Sequence, residues 1–276
     1  MAVNPATAQR REPPLDLTQT LQRVGERLEQ WYARAQTVVS TETVWIQPLR
    51  GDLTPVDFPR RLAFELRVGW DPNEVGPGGL PKAHVFREKL SVNGRSLRDN
   101  DEPGCMDPKP VSPEPLEFLL PARLPESVFS VAGTARVDGR QALMIDFHGA
   151  SAAPAAIEWT DECVSVSLPG RSRGRVWVDA ATNDVLRVDD RLEGTFEFKV
   201  PREQVRRGAA PSMVIEKAES SIRYQKVDFQ DPPETLMLPV EIYTVTVIRG
   251  GGMQRFRITQ RFSNHRRFIT GSRVLP

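Results

Sequence analysis

Arg175-Val176-Trp177-Val178-Asp179-Ala180-Ala181-Thr182-Asn183-Asp184-Val185-Leu186-Arg187 is the stretch on which the fold turns. Residues 175–179 and 184–200 read as two strands flanking the four-residue turn Ala180-Ala181-Thr182-Asn183. Strands joined by so short a connection must pair antiparallel, because a parallel return needs a dozen or more residues. The same reading extends in both directions. Residues 61–70 alternate, with Leu62, Phe64, Leu66, Val68 and Trp70 on one face and Arg61, Ala63, Glu65, Arg67 and Gly69 on the other. Residues 41–47 place Val44 and Ile46 opposite Thr43 and Trp45. Residues 85–92 end at Asn93-Gly94, and Asp138-Gly139 joins 127–137 to 141–148; both dipeptides favour tight hairpins. Residues 214–229, 237–248 and 254–262 complete the set, the last two joined across Gly250-Gly251-Gly252. No helical pattern separates these strands, which excludes parallel βαβ units. The expected fold is mainly β with some α: a curved antiparallel sheet or unclosed β-barrel of about ten strands.

One long helical pattern precedes the sheet. Leu21, Val24, Leu28, Trp31, Tyr32 and Ala35 share one face, and Arg23, Glu26, Arg27, Gln30 and Arg34 share the other. Asp16 or Thr18 can cap it. Such a helix must lie on something apolar, and the sheet is the only candidate. Two regions break the strand pattern. Residues 71–82, with Gly76-Pro77-Gly78-Gly79, read as a long loop. Residues 103–125 hold seven prolines and cannot be a central strand. Within that insertion residues 112–120 read as a short helix, with Ser112 as cap and Pro113 at its first position.

Composition narrows the function. With 37 basic and 36 acidic residues the net charge is +1, without the clustered basic excess that nucleic acid or an anionic membrane would require. No run approaches 18 apolar residues, so no membrane-spanning helix is expected. Residues 1–14 form a small, polar, proline-containing tail without the apolar stretch of a signal peptide, and 15–276 read as a single β domain. The tail has the character of the start of a mature exported chain, although cytoplasmic chains can also begin loosely. In an exported protein the two cysteines, Cys105 and Cys163, both in loop-like sequence, are expected to pair.

Candidate chemistry is sparse. Gly170-Arg171-Ser172-Arg173-Gly174 matches the nucleophile-elbow pattern, but a strand follows where that elbow needs a helix. The three histidines, His84, His148 and His265, are far apart in sequence, so no metal site is expected. The acidic groups Asp99, Asp101 and Glu102, and Asp189, Asp190 and Glu193, read as solvated turns; a carboxylate-based hydrolase would need two of them to converge in one cleft. Near the C-terminus Arg255, Arg257 and Arg261 alternate with Phe256, Ile258, Gln260 and Phe262, an ordinary wet-face and dry-face strand. No catalytic residue and no cofactor is expected.

The order of elements, together with the hairpin V-W-V-D-x-x-T-x-x-V-L-R at 176–187, resembles the LolA/LolB-like superfamily of periplasmic lipoprotein carriers. The resemblance implies an unclosed barrel with helices across its mouth that shelters acyl chains. It implies a periplasmic, non-enzymatic protein whose partner is a lipid or a lipoprotein, neither nucleic acid nor a spanned membrane. The 103–125 insertion and the two cysteines depart from the general pattern of those carriers. The apolar ligand face is expected to include Phe64, Leu66, Trp70, Phe86, Trp177 and Phe198. Two alternatives stand beside it: a structural protein with a fully packed core that binds another protein, and a carboxylate-based hydrolase.

Overall fold

Asp16 caps the first helix. Its Oδ1 accepts from the Gln19 amide (3.1 Å) and its carbonyl from the Thr20 amide (3.0 Å), and helix α1 spans Leu17–Arg34. The structure is a computed structural model that describes residues 16–34, 38–75, 81–99, 101, 105, 107, 114–160, 163–230, 233–250 and 255–267. The expected tail at 1–14, Gly76-Pro77-Gly78-Gly79, the Ser112-Pro113 cap and Gly251-Gly252 lie outside these residues, as does Ala35.

The sheet is one antiparallel row. From edge to edge its strands are β3 (Pro81–Val92), β2 (Arg60–Val75), β1 (Val38–Pro48), β13 (Arg255–Arg267), β12 (Pro233–Arg249), β11 (Ser212–Gln230), β9 (Val185–Leu192), β8 (Ser172–Asp179), β5 (Arg140–Gly149) and β4 (Ser127–Val137). A further strand, β10 (Phe196–Lys199), pairs with the start of β11. The row stays open, with β3 and β4 as its edges. Burial follows the alternation read from sequence: Leu62, Phe64 and Leu66 are buried while Arg61 and Arg67 are exposed.

Sequence alternation also decides what α1 does. Leu21, Val24 and Leu28 join one buried cluster with Leu66 of β2, Phe262 of β13, Ile242 of β12, Ile222 and Tyr224 of β11, Val188 of β9, Val176 and Val178 of β8 and Ile145 of β5. A single helix can share a core with nearly the whole row only if the sheet curls around it. Burying those three helix side chains contributes about 5–9 kcal/mol in total. Beside α1 lies a 3-10 helix, Glu114–Leu119, whose Leu116 and Leu119, with Leu120 just beyond it, enter the same cluster. Gly25 marks the contact: a side chain there would meet Pro121 Cδ at 2.8 Å and the Leu119 carbonyl at 3.1 Å. A mid-helix glycine costs about 1 kcal/mol relative to alanine, and here it permits this close approach.

Several expectations need correction. The 71–82 loop is shorter than read, because β2 continues to Val75 and β3 begins at Pro81, with Asp71 opposite Lys82 and Val75 opposite Pro81. The run 184–200 is two strands, not one: it turns at Gly194, where φ is +74°; β9 pairs with both β8 and β11, whereas β10 pairs with β11. The short helix expected in the insertion is present, as a 3-10 helix over Glu114–Leu119. Three short elements carried too little pattern to be seen: α2 (Arg202–Arg206) and the hairpin of β6 (Ala156–Thr160) and β7 (Cys163–Ser167). That hairpin packs Ile157, Trp159, Val164 and Val166 against Phe198, Met213 and Ile215, forming a satellite core away from α1.

Cys105 and Cys163 form a disulfide, with Cα atoms 5.2 Å apart and a sequence separation of 58. It ties the insertion to the first residue of β7. A loop of this length is stabilised by about 4 kcal/mol in the chain-entropy account. Replacing both cysteines with serine is therefore expected to lower the unfolding free energy in urea by about 2–4 kcal/mol. An unchanged midpoint would show that the insertion is held by packing alone.

Candidate ligand-binding faces

The hairpin that decides the fold also holds the helix to the sheet. The Asp179 carboxylate accepts from the amides of Ala181 and Thr182 (both 2.8 Å), which shapes the turn, and Asn183 takes a left-handed φ of 59°. Burial opposes the ionisation of Asp179, but those amides and the nearby Arg140 guanidinium (2.7 Å) outweigh it and hold its carboxyl below the usual range. Asp184, 4% exposed, then presents Oδ1 to Arg27 Nε of α1 at 2.8 Å. Its Oδ2 accepts from the Thr182 hydroxyl (2.7 Å), and Arg140 Nη2 lies 3.7 Å from it. One turn further along α1, Trp31 Nε1 donates to the Met237 carbonyl at 2.6 Å. Two polar contacts from one face of α1 thus latch it at one end of the sheet.

Under that latch lies a cavity of about 110 Å³, lined by Leu28, Trp31, Leu116, Val185, Tyr224 and Met237 among others. An engineered cavity of about 150 Å³ accommodates benzene, so this one is too small for an acyl chain while α1 is in place. Burial pushes the Tyr224 phenol up, as befits a ring inside the core. The inner face is not uniformly apolar. Glu42 of β1 is fully buried and accepts from Arg87 Nε (2.7 Å) and Nη2 (2.8 Å) of β3 and from Gln260 Nε2 (2.8 Å) of β13. The Arg87 guanidinium lies 3.7 Å from the centre of the Phe64 ring. Charge therefore closes the inner face on the β3 side.

The face away from α1 is a mat of arginines over aromatic rings. Arg61 and Arg261 lie over Trp45, Arg175 and Arg187 over Trp177, and Arg257 over Tyr243. A groove of about 770 Å³ runs across this face over β4, β5, β8, β9, β11 and β12, with Trp177 and Tyr243 in its lining. Its carboxylates do not form an acid–base pair. Asp146 is held below the usual range by its hydrogen bonds with Arg175, and Asp189 is engaged by Arg187 through both oxygens (2.7 Å each). Asp190 alone is shifted upward, by burial and by the charge of Asp189, although its hydrogen bond with the Ser220 hydroxyl pulls the other way.

A raised carboxyl favours the folded state at low pH. Stability from Asp190 is present below its unfolded pKa and lost as pH rises through the folded value. Asp190→Asn is therefore expected to raise the melting temperature at pH 7 and to have no such effect near pH 3. A variant less stable than wild type at pH 7 would show that the ionised form is the one the fold requires.

Of the six residues expected to line a ligand face, the five whose side chains are described lie apart. Leu66 lies in the cluster under α1, Phe64 in the cluster of Val44, Ile46, Leu62, Val92 and Ile258, and Phe198 in the satellite core. Trp177 lines the outer groove, and Phe86 is 67% exposed on edge strand β3. Trp70 is in β2, and its side chain lies outside the described residues. Ser172 opens β8, so a strand follows the Gly170–Gly174 pattern; the three histidines lie on β3, β5 and β13. Among the described residues no group of three metal-ligating side chains occurs. The latch residues Arg27, Asp179 and Asp184 were not read as functional. One signal was available: Glu42 falls in register with the inward Val44 and Ile46, and a charge at an inward position needs a partner.

No family model matches the chain, and no curated protein matches it. Among solved structures it is similar to a DUF1329 family protein from Desulfovibrio piger, at 11% identity and TM-score 0.44, covering 93% of this chain and 95% of that one. It is similar to a putative outer membrane lipoprotein-sorting protein domain from Vibrio parahaemolyticus at 11% identity and TM-score 0.44, covering 93% and 94%. A LolA superfamily protein from Nitrosomonas europaea follows at 9% identity and TM-score 0.35, covering 93% and 94%.

Proposed function

We propose that this chain is a non-enzymatic binding protein of the cell envelope, which shelters an acyl chain of a lipid or lipoprotein on its inner face once α1 moves aside. The observation that carries the reading is the latch: an amphipathic helix covers the inner face with its apolar side and is held there by polar contacts that include Arg27–Asp184 and Trp31–Met237. The exchange is energetically accessible. Uncovering Leu21, Val24 and Leu28 costs about 5–9 kcal/mol, whereas burying a saturated chain of about 16 carbons contributes roughly 12 kcal/mol at 0.8 kcal/mol per methylene. The disulfide suits an oxidising compartment, which supports an extracytoplasmic location. The resemblance of the 176–187 hairpin to the lipoprotein carriers points the same way.

Titration of delipidated protein with cis-parinaric acid tests this. Saturable enhancement of probe emission, competed by a diacylated lipopeptide, is the expected result; emission that rises only linearly would end the proposal. Phe86 and Leu90, 67% and 47% exposed and on one face of edge strand β3, favour a second reading in which that edge meets a protein partner.

A further inference from the structure

The charges of the outer groove balance in number but are not paired one to one. Four carboxylates line it, and each is already engaged. Asp146 pairs with Arg175 and Asp189 with Arg187, Glu219 lies 3.0 Å from Lys217 Nζ, and Asp190 bonds the Ser220 hydroxyl. Four arginines line it as well, and only Arg175 and Arg187 are among those pairs. Arg173 of β8 and Arg191 of β9 are exposed and have no ion pair among the described residues. They are direct cross-strand partners; His148 of β5 lies opposite Arg173 on its other side, and Glu219 of β11, already paired with Lys217, lies opposite Arg191 on its other side.

That arrangement is costly by itself. Residues opposite each other in an antiparallel pair hold their Cβ atoms about 5 Å apart, and like charges placed so are destabilising. The same spacing lets two guanidinium groups converge on one tetrahedral anion, with the charge-assisted, bidentate geometry that arginine gives to phosphate. We propose that Arg173 and Arg191 form a binding site for a phosphomonoester, whose organic part lies along the groove beside Trp177 and Tyr243. The groove, at about 770 Å³, is much larger than a phosphate group, which is why an organic portion is part of the assignment. The site lies on the face opposite α1 and does not depend on acyl-chain binding.

Isothermal titration with phenyl phosphate, at low ionic strength, tests the site in wild-type protein and in Arg173→Gln/Arg191→Gln. Saturable binding that weakens at least tenfold in the double variant is the expected result. The control Arg206→Gln/Arg207→Gln, in and beside α2, should bind as wild type does. Sedimentation with phosphatidylcholine vesicles, with and without phosphatidic acid, then distinguishes the source. Arginine-dependent recruitment by phosphatidic acid assigns a lipid headgroup, and its absence beside phenyl phosphate binding assigns a soluble organic phosphate. The double variant relieves the Arg173–Arg191 repulsion and gives up the Arg191–Glu219 attraction, so it should melt close to wild type, and phenyl phosphate should raise the melting temperature of wild type and control but not that of the double variant. No binding by wild type, or equal losses in the test and control variants, would overturn the site.

Discussion

Arg27→Ala/Trp31→Phe is expected to bind cis-parinaric acid more tightly than wild type, by about 30-fold, while unfolding at lower urea. The two signs come from one cause. A ligand that needs an opened state has its apparent affinity reduced by the fraction of molecules open, so a weaker latch raises affinity. Arg27 is 38% exposed, which limits its pair with Asp184 to about 1 kcal/mol. The indole-to-carbonyl hydrogen bond of Trp31 contributes about another 1 kcal/mol. Together about 2 kcal/mol shifts the opening equilibrium by roughly 30-fold. Asp184 stays satisfied in the variant, through the Thr182 hydroxyl and Arg140, so the sheet end should keep its form. Affinity lost in parallel with stability would mean instead that the closed helix is itself the binding surface.

The second large effect belongs to Glu42. Its carboxylate is fully buried against Arg87, whose side chain is 9% exposed, so Glu42→Ala takes from that guanidinium the acceptor to which its Nε and Nη2 donate. Breaking one partner of a buried pair costs about 3–5 kcal/mol, whereas replacing both with apolar residues is often neutral or stabilising. Urea unfolding should show that loss for Glu42→Ala and recovery to wild type or beyond for Glu42→Leu/Arg87→Met. The recovery is informative for function as well. If the charged pair is only a structural closure on the β3 side of the inner face, the double variant will bind cis-parinaric acid as wild type does. A double variant as unstable as the single would place the cost in lost packing around Phe64 rather than in the charge.

Much of this fold was legible because strand alternation is a strong and local signal. The faces of β2 and β13 emerged with the inward Leu62, Phe64 and Leu66, and the inward Ile258, Gln260 and Phe262, where burial puts them. The amphipathic face of α1 likewise announced a helix that had to be covered, and Asp16 was readable as its cap. What failed was shorter than its own period: five-residue elements such as β6, β7 and α2 offer two or three alternations and no more. The break between β9 and β10 was hidden because Leu192, Phe196 and Phe198 keep an apolar beat across the turn at Gly194.

The ligand face was less legible, for a physical reason. Alternation tells which side of a strand is dry but not which dry surface is free, and Phe64, Leu66 and Phe198 are inward in three different clusters. Trp177 faces away from all of them, since Val176 and Val178 are the inward residues of β8. The hairpin sequence at 176–187 was recognisable as a pattern before its work was visible. Its aspartates are spaced for a turn and, only after folding, for an arginine 157 residues away on α1.

Movement of α1 is the step on which the proposed acyl-chain binding depends, and a distance reports it directly. Because Cys105 and Cys163 are bonded to each other, cysteines introduced at the exposed Glu29 of α1 and Arg136 of β4 can be spin-labelled selectively. Double electron–electron resonance would then compare the labelled pair alone and with a diacylated lipopeptide. A longer, broader distance distribution in the lipopeptide-bound protein is the expected outcome. Bound lipopeptide with an unchanged distance would show that the ligand sits elsewhere and that α1 is a fixed part of the core.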